Sequence, residues 1–427
     1  MSEGIRQLRG IEQALWITDQ FGPFNVVGVL RLRHAPSPDM LRGALDQLQA
    51  KQPLLKTRIA TFKGHQNFEA CNLPIPLEVL HRAAPDHWLE IAQFELNHRV
   101  DITSGPLLRC HYLIDQNGEN ADLVLTFHHT IVDAASGMHL FHKLLEFCAG
   151  VQATDEPSPK TIPPAAIDHF PARYRGPRFA AATAPFMMRQ MGDEMRYRWQ
   201  ASGERSTTIP ESAQACILPI QLSTPLTEKI VRASRKERIT INSILTAALM
   251  LAAKRKLLGE DDASIRHVTF ADLRPYLDPP VTEDSLGCYI AMSRFTTRIK
   301  GSMDFVTLAR IVHEEILASN RRGEKFITHV FSVPLLKMLT SLKAFRMGHT
   351  ALSYMGAAQI QPAYGSIEVM GLHAFVSNIT LGPEYATLAR LFRDQLWIDI
   401  TYLDADMSAQ QAAGIASEMQ AILEAAF

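Results

Sequence analysis

In the run His128-His129-Thr130-Ile131-Val132-Asp133, two adjacent imidazoles are followed, four residues after the second, by a carboxylate. Imidazole titrates near pH ~6.5, so a neutral histidine can take a proton from an attacking hydroxyl or amine. Such general-base assistance is typically worth roughly 10²–10⁴-fold in rate. Three chemistries fit these residues: His129 as a general base, a purely structural histidine at a strand end, or two histidines and a carboxylate as metal ligands. Adjacent strand residues point to opposite faces, so His128 and His129 cannot share one task or converge easily on one metal. No third partner with metal-ligand spacing accompanies them. Asp133 likewise has three readings: it can orient His129, pair with a distant arginine, or cap the next helix. Rival machinery is missing from the sequence, which has no GxSxG elbow, P-loop or dinucleotide fingerprint. Cys110 reads as a packed thiol and not a nucleophile.

The elements around the motif follow from periodicity. Leu123 to His128 has strand composition, and Ala134 to Cys148 carries Met138, Phe141, Leu144 and Leu145 at helical spacing. The motif is therefore expected in a tight strand-to-helix connection at about 128–136, close to the positive end of the helix. Earlier, Val26 to Leu32 reads as a strand and Pro38 to Lys51 as a helix. Gly150 to Pro185, rich in Pro and Ala, reads as a long crossover. Phe186 to Gln200 reads as a helix within it, whose four Met either line an apolar channel or pack in a core. Beyond it come a helix capped by Thr240 and carrying Ile244 to Ala252, strands at His267 to Phe270 and Tyr289 to Phe295, and a helix over Phe305 to Ser319. A strand at Leu396 to Leu403 and a closing amphipathic helix over Met407 to Ala426 complete the reading. The two halves share an element order but no visible repeat. The division expected is 1–165 for an N-terminal lobe, 166–210 for a crossover and 211–427 for a C-terminal lobe.

Composition bounds the partners. Lys and Arg total 43 against 44 Asp and Glu, a balance that argues against nucleic acid as the main partner. With 427 residues, 47% of them hydrophobic, the chain has ample material for two lobes. Five Cys, widely spaced and without a CxxC pair, argue against a disulfide framework or zinc site and for a reducing compartment. Met1 to Trp16 lacks the apolar core of a secretory signal, and the longest apolar run, Ile244 to Ala253, is too short to span a membrane. A cytoplasmic monomer without a membrane span is expected.

The segment HHTIVDAASG resembles the HHxxxDG signature of the superfamily that includes chloramphenicol acetyltransferase, plant BAHD acyltransferases, condensation domains and the polyketide-associated acyltransferases. Further segments resemble the last of these in order and spacing: Leu8 to Glu12, Gln52 to Leu55 with Arg58, Gly105 to Arg109, Asp272 to Leu277, Leu286 to Tyr289, and Leu396 to Asp404. The resemblance covers nearly the whole chain. It implies an α/β fold of the α+β type, with two chloramphenicol-acetyltransferase-like lobes, mixed sheets flanked by helices, and a tunnel between the lobes. It also implies an acyltransferase that takes the acyl group from coenzyme A or a phosphopantetheinyl carrier, used as co-substrate, with no resident cofactor and no metal. The acceptor is a hydroxyl or amine of a natural-product or lipid-like molecule, and a separate acyl carrier protein is a possible partner. His129 becomes the general base. His128 is structural, and Asp133 pairs with Arg274 as an architectural strut. Gly137, Ser377 and Asn378 are candidates for substrate contact, Ser377 and Asn378 as oxyanion donors. Ala134 replaces the family's Gly after Asp, and Thr380 replaces the Gly of its S-N-x-G turn. Two alternatives remain: an enzyme forming amides, cycles or rearranged products on a carrier-bound chain, and a non-catalytic relative that binds a carrier.

Overall fold

A computed structural model describes residues 5–151, 161–200, 212–340, 346–378 and 381–427. The chain forms two compact units. The first comprises Met1–His169, Leu277–Tyr289 and Ala357–Ser377, and the second comprises Phe170–Tyr276, Ile290–Gly356 and Asn378–Phe427.

The first unit is built on a mixed six-stranded sheet. Its order is Ala363–Tyr364, Ile367–Val376, Asn25–Arg33, Asn120–His128, Leu108–Ile114 and Leu77–His81. All neighbours run antiparallel except Leu77–His81, which is parallel to Leu108–Ile114. The Asn120–His128 strand is central and almost wholly buried, so its run Leu123-Val124-Leu125 is apolar without alternation. A separate three-stranded antiparallel sheet joins Ile5–Gln7, His65–Ala70 and Thr57–Phe62. Helices Pro38–Lys51 and Ala134–Cys148 pack on each other, with the bounds the periodicity predicts.

Gly28 fixes how closely the Ala134–Cys148 helix approaches this sheet. A Cβ there would lie 2.4 Å from Phe141 Cε2 and 2.8 Å from Cζ. Gly28→Val therefore forces Phe141 out of its packed position. It is expected to lower unfolding free energy by about 1–3 kcal/mol, read from the urea midpoint, with Phe141→Leu in the same chain restoring part of the loss.

The second unit carries another six-stranded sheet, ordered Ile290–Ile299, Ala263–Asp272, Gly348–Ala357, Pro383–Phe392, Gln395–Leu403 and Ala215–Gln221. Helices Thr224–Glu237, Ile241–Ala253, Phe305–Arg321 and Ala409–Ala426 contribute to its core. Every residue from Ser243 to Ala253 is buried, which explains why the longest apolar run shows no polar face. No helix among the described residues is long and apolar enough to cross a membrane.

Three sequence expectations differ from the structure. The linear division put residues 277–289 and 357–377 in the C-terminal lobe. Instead, Ile367–Val376 hydrogen-bonds along Asn25–Arg33, and its sheet partner, not its place in the chain, decides its unit. The helix expected from Phe186 begins at Gly176 and contains Pro185. A proline in a helix interior costs about 3 kcal/mol or more. Side-chain anchorage offsets that cost: Glu194 Oε2 accepts from Arg266 Nη1 at 2.8 Å, and Gln190 Oε1 accepts from Arg294 Nη2 at 3.0 Å. Three of the helix's four Met neither pack in a core nor line an enclosed channel, since Met188, Met191 and Met195 are 72%, 59% and 71% exposed, while Met187 is half-buried.

Candidate active site

A single 3₁₀ turn, His129–Ile131, separates the central strand from the Ala134–Cys148 helix and gives the two histidines different environments. The turn brings the Val132 carbonyl back to His129, whose Nδ1 lies 2.9 Å from it. A carbonyl can only accept, so Nδ1 carries the proton and Nε2 presents a lone pair. His128 has the opposite tautomer. Its Nδ1 accepts from the Thr130 amide at 3.4 Å and lies 2.7 Å from Thr130 Oγ1, which places its proton on Nε2. That Nε2 is 3.8 Å from Asp19 Oδ1, too far for a hydrogen bond. Burial drives the His128 pKa down to about 3, with the neighbouring His129 and Arg99 adding to the effect, so this ring is a neutral structural group. Burial also lowers the pKa of His129, against the opposing pull of its bond to Val132 and of Asp133. His129 is thus neutral at cellular pH, the state a general base requires.

A second set of contacts, not apparent from sequence, fixes the His129 ring. The Phe24 ring stacks on it with centroids 5.3 Å apart and planes 26° from parallel. The Phe24 carbonyl accepts from the His129 amide at 3.2 Å. The Phe24 amide in turn donates to Asp19 Oδ1 at 2.9 Å, and Arg99 Nη1 pairs with Asp19 Oδ2 at 2.5 Å. Arg99, Asp19 and Phe24 form a continuous support beneath the ring. Nothing in the spacing of side chains marks it: Asp19 is buried at the end of the helix Ile11–Asp19, and Arg99 reaches it from eighty residues further along the chain.

Asp133 is the N-cap of the Ala134–Cys148 helix. Its Oδ1 accepts from Ser136 N at 3.0 Å and Ser136 Oγ at 2.9 Å, while Oδ2 accepts from Tyr289 N at 2.8 Å. Ser136 Oγ also lies 3.1 Å from the Gly287 carbonyl, so the Leu286–Tyr289 segment is tied to the start of this helix. Of the three readings of Asp133, the cap is present. Orientation of the His129 ring falls to Val132, since Nδ1 is bonded there. Asp133→Ala removes the cap, worth about 0.5–2 kcal/mol, and strands the buried Tyr289 amide, costing a further ~1–3 kcal/mol. A combined loss of about 1.5–5 kcal/mol is expected in chemical denaturation, with Asp133→Asn losing less because its carbonyl oxygen still accepts.

The other candidates are spread over both units. Gly137 follows on the same helix, where a Cβ would meet Val132 Cγ2 at 3.4 Å. Ser377 Oγ accepts from Asn25 N at 3.1 Å and donates to the Leu96 carbonyl at 2.7 Å, so its single proton is already committed. Arg274 and Asn378 belong to the second unit. Arg274 is buried, with Nη1 on Asp272 Oδ1 at 3.2 Å, and Asn378 Nδ2 donates to the Pro383 carbonyl at 2.9 Å. The family turn continues through Ile379 and Thr380, which lie outside the described residues. Cys110 is buried and its thiol is pushed well above the usual range by desolvation, as befits a packed side chain. Among the described residues no group of three or more His, Cys, Asp or Glu is placed to hold a metal ion.

The fold is that of the condensation and acyltransferase class. Residues 212–326 match the family model described as the C-terminus of phthiocerol/phthiodiolone dimycocerosyl transferase. Polyketide synthase associated protein 5 of Mycobacterium tuberculosis shares the fold, with TM-score 0.71, 18% identity and coverage of 99% of each chain. So does TRI3 trichothecene 15-O-acetyltransferase of Fusarium sporotrichioides, with TM-score 0.75, 13% identity, and coverage of 98% of this chain and 95% of the other. Condensation domains superpose as well. In sequence, the chain is 25% identical to phosphinothricin tripeptide synthetase PhsC of Streptomyces viridochromogenes over 73% of its own length. It spans 29% of the length of that curated relative. The resemblance read from the motifs is thus matched by a family segment and by the fold of both units.

Proposed function

We propose that this chain is an acyltransferase moving an acyl group from a coenzyme A or carrier-protein thioester to a hydroxyl or amine, with His129 as general base. The observation that carries the proposal is the His129 tautomer: Nδ1–H bonded to the Val132 carbonyl, with a neutral ring and Nε2 left as the base. Nε2 removes the acceptor's proton as its oxygen or nitrogen attacks the thioester carbonyl. The tetrahedral species collapses, the carbon–sulfur bond breaks, and the imidazolium returns the proton to the departing thiolate. The scheme forms no acyl-enzyme and uses no metal. His128 and Asp133 serve it by holding the turn, not by touching substrate.

The likeness to a peptide synthetase favours one second reading, in which the acceptor is an amine and the product an amide. Free-thiol release separates these outcomes. A panel of acyl-coenzyme A and acyl-carrier thioesters is offered with alcohol and amine acceptors, and product masses are determined. Acceptor-dependent thiol release supports the proposal and identifies the donor class. Folded protein that releases no thiol from any donor overturns it in favour of a binding role.

A further inference from the structure

When it takes a proton, His129 becomes a cation inside the fold, and little around it balances the charge. The residue is 7% exposed, so water contributes little. Its Nδ1–H bonds to a backbone carbonyl, that of Val132, and not to a carboxylate. Among the described residues no carboxylate lies within ion-pair distance of the ring. The charged and titratable groups packed around it have other partners. Asp133 caps the Ala134–Cys148 helix and holds the Tyr289 amide, Asp19 pairs with Arg99, and Glu12 pairs with Arg6. His128 is kept neutral by burial.

What does face the imidazole is the Phe24 ring, stacked with centroids 5.3 Å apart and planes 26° from parallel. The π face of a phenyl ring is its negative side, and it attracts a cation within about 6 Å of the centroid. Against a neutral imidazole the same ring makes an ordinary aromatic stack. The attraction therefore grows as the proton arrives, and an interaction that is stronger in the transition state than before it accelerates the step. Backbone bonds hold Phe24 in register with the base: its carbonyl accepts from the His129 amide at 3.2 Å, and its amide donates to Asp19 Oδ1 at 2.9 Å.

We propose that Phe24 is a positioning residue whose ring face stabilises the positive charge formed on His129 as it takes the acceptor's proton. Holding the imidazole still is a separate role, which any side chain of that shape would fill. The inference rests on the reading of His129 as general base, and it adds the group that takes the place of an orienting carboxylate.

The test replaces Phe24 in the intact chain, by amber suppression, with 4-fluoro-, 3,5-difluoro- and 3,4,5-trifluorophenylalanine. Each fluorine withdraws π density while the shape of the ring changes little. The His129 pKa is read without substrate, by NMR titration of protein carrying 13Cε1-labelled histidine, with the signal identified by its loss in His129→Gln. The pKa is expected to fall stepwise, by about 0.5–1.5 pH units at three fluorines, which corresponds to about 0.7–2 kcal/mol. Urea midpoints at neutral pH should stay constant across the series. A pKa that stays constant while the proteins remain folded overturns the proposal and leaves Phe24 a packing residue. Turnover gives a second reading: in acceptor-dependent thiol release, kcat should fall about 3- to 30-fold with KM unchanged. A rise in KM at constant kcat also overturns the proposal, because the ring would then be touching substrate and not the base. If wild type turns over no thioester, the acyl-transfer reading fails on that result, and the titration still decides what Phe24 does to the charge on His129.

Discussion

His129→Ala is expected to lower turnover by about 10²–10⁴-fold while leaving the chain folded. The side chain makes one hydrogen bond, to the Val132 carbonyl, and one ring stack, on Phe24. Losing the hydrogen bond costs stability by about 1 kcal/mol, too little to unfold a domain of ordinary stability. His128→Ala is the contrasting control. That ring is fully buried and braces Thr130, so its removal should lower the unfolding midpoint more than His129→Ala does. The pH profile gives a second reading. Only neutral His129 accepts a proton, and burial lowers its pKa, so the acid limb of kcat/KM should fall below the ordinary histidine value of ~6.5. The decisive measurements are steady-state thiol release and circular dichroism on both variants. A folded His129→Ala enzyme retaining more than about a tenth of wild-type turnover would remove the general-base assignment.

How much of this was legible in sequence depended on whether the determining contacts were local. The Pro38–Lys51 and Ala134–Cys148 helices have sequence-determined bounds because their caps, Ser37 and Asp133, and their apolar stripes lie within the same few residues. Thr240 was likewise readable as a cap, and it accepts from Ser243 N as expected. The Ile367–Val376 strand was missed. Its apolar pattern is broken at Gly371, where the register against Asn25–Arg33 shifts, and its partner lies more than three hundred residues away. The first part of the helix, Gly176 to Pro185, was missed because Pro185 and the neighbouring Pro and Ala read as a crossover, while the ion pairs that stabilise the helix come from distant strands. At the site, the motif itself named His129 and Asp133. The carbonyl that sets the tautomer is a backbone group, and Phe24 comes from the loop just before the strand Asn25–Arg33, more than a hundred residues earlier in the chain, so neither has a signature in side-chain spacing.

Acid should destabilise this protein well before its carboxylates titrate, because several histidines are buried neutral. Burial holds the pKa values of His128 and His267 at about 3 and that of His329 at about 4. In the unfolded chain each returns to ~6.5. Between those limits the unfolded state binds more protons than the folded one, so unfolding free energy rises with pH across that interval. The stabilisation is complete above about 6.5 and is lost as pH falls to about 4 for His329 and to about 3 for His128 and His267. Each histidine contributes a slope of about 1.4 kcal/mol per pH unit when fully engaged, so three approach about 4 kcal/mol per unit. Two carboxyls act the other way: burial raises the pKa of Asp19 and Asp122, and their protonation at low pH offsets part of the loss. Against a typical total of about 5–15 kcal/mol, the net effect is large enough to move the urea midpoint visibly between pH 6.5 and 5. His128 lies in the first unit and His267 and His329 in the second, so both units should show the trend. His267→Leu keeps an apolar side chain of similar bulk but gives up the bond to Thr350 Oγ1 at 2.8 Å. That variant should start from a lower midpoint and show a shallower pH slope by about one histidine's share, because one titrating group has been removed. A flat urea midpoint from pH 6.5 to 5 in wild type would show that these rings are not held neutral in the folded state. A slope unchanged by His267→Leu would show that the acid sensitivity originates elsewhere.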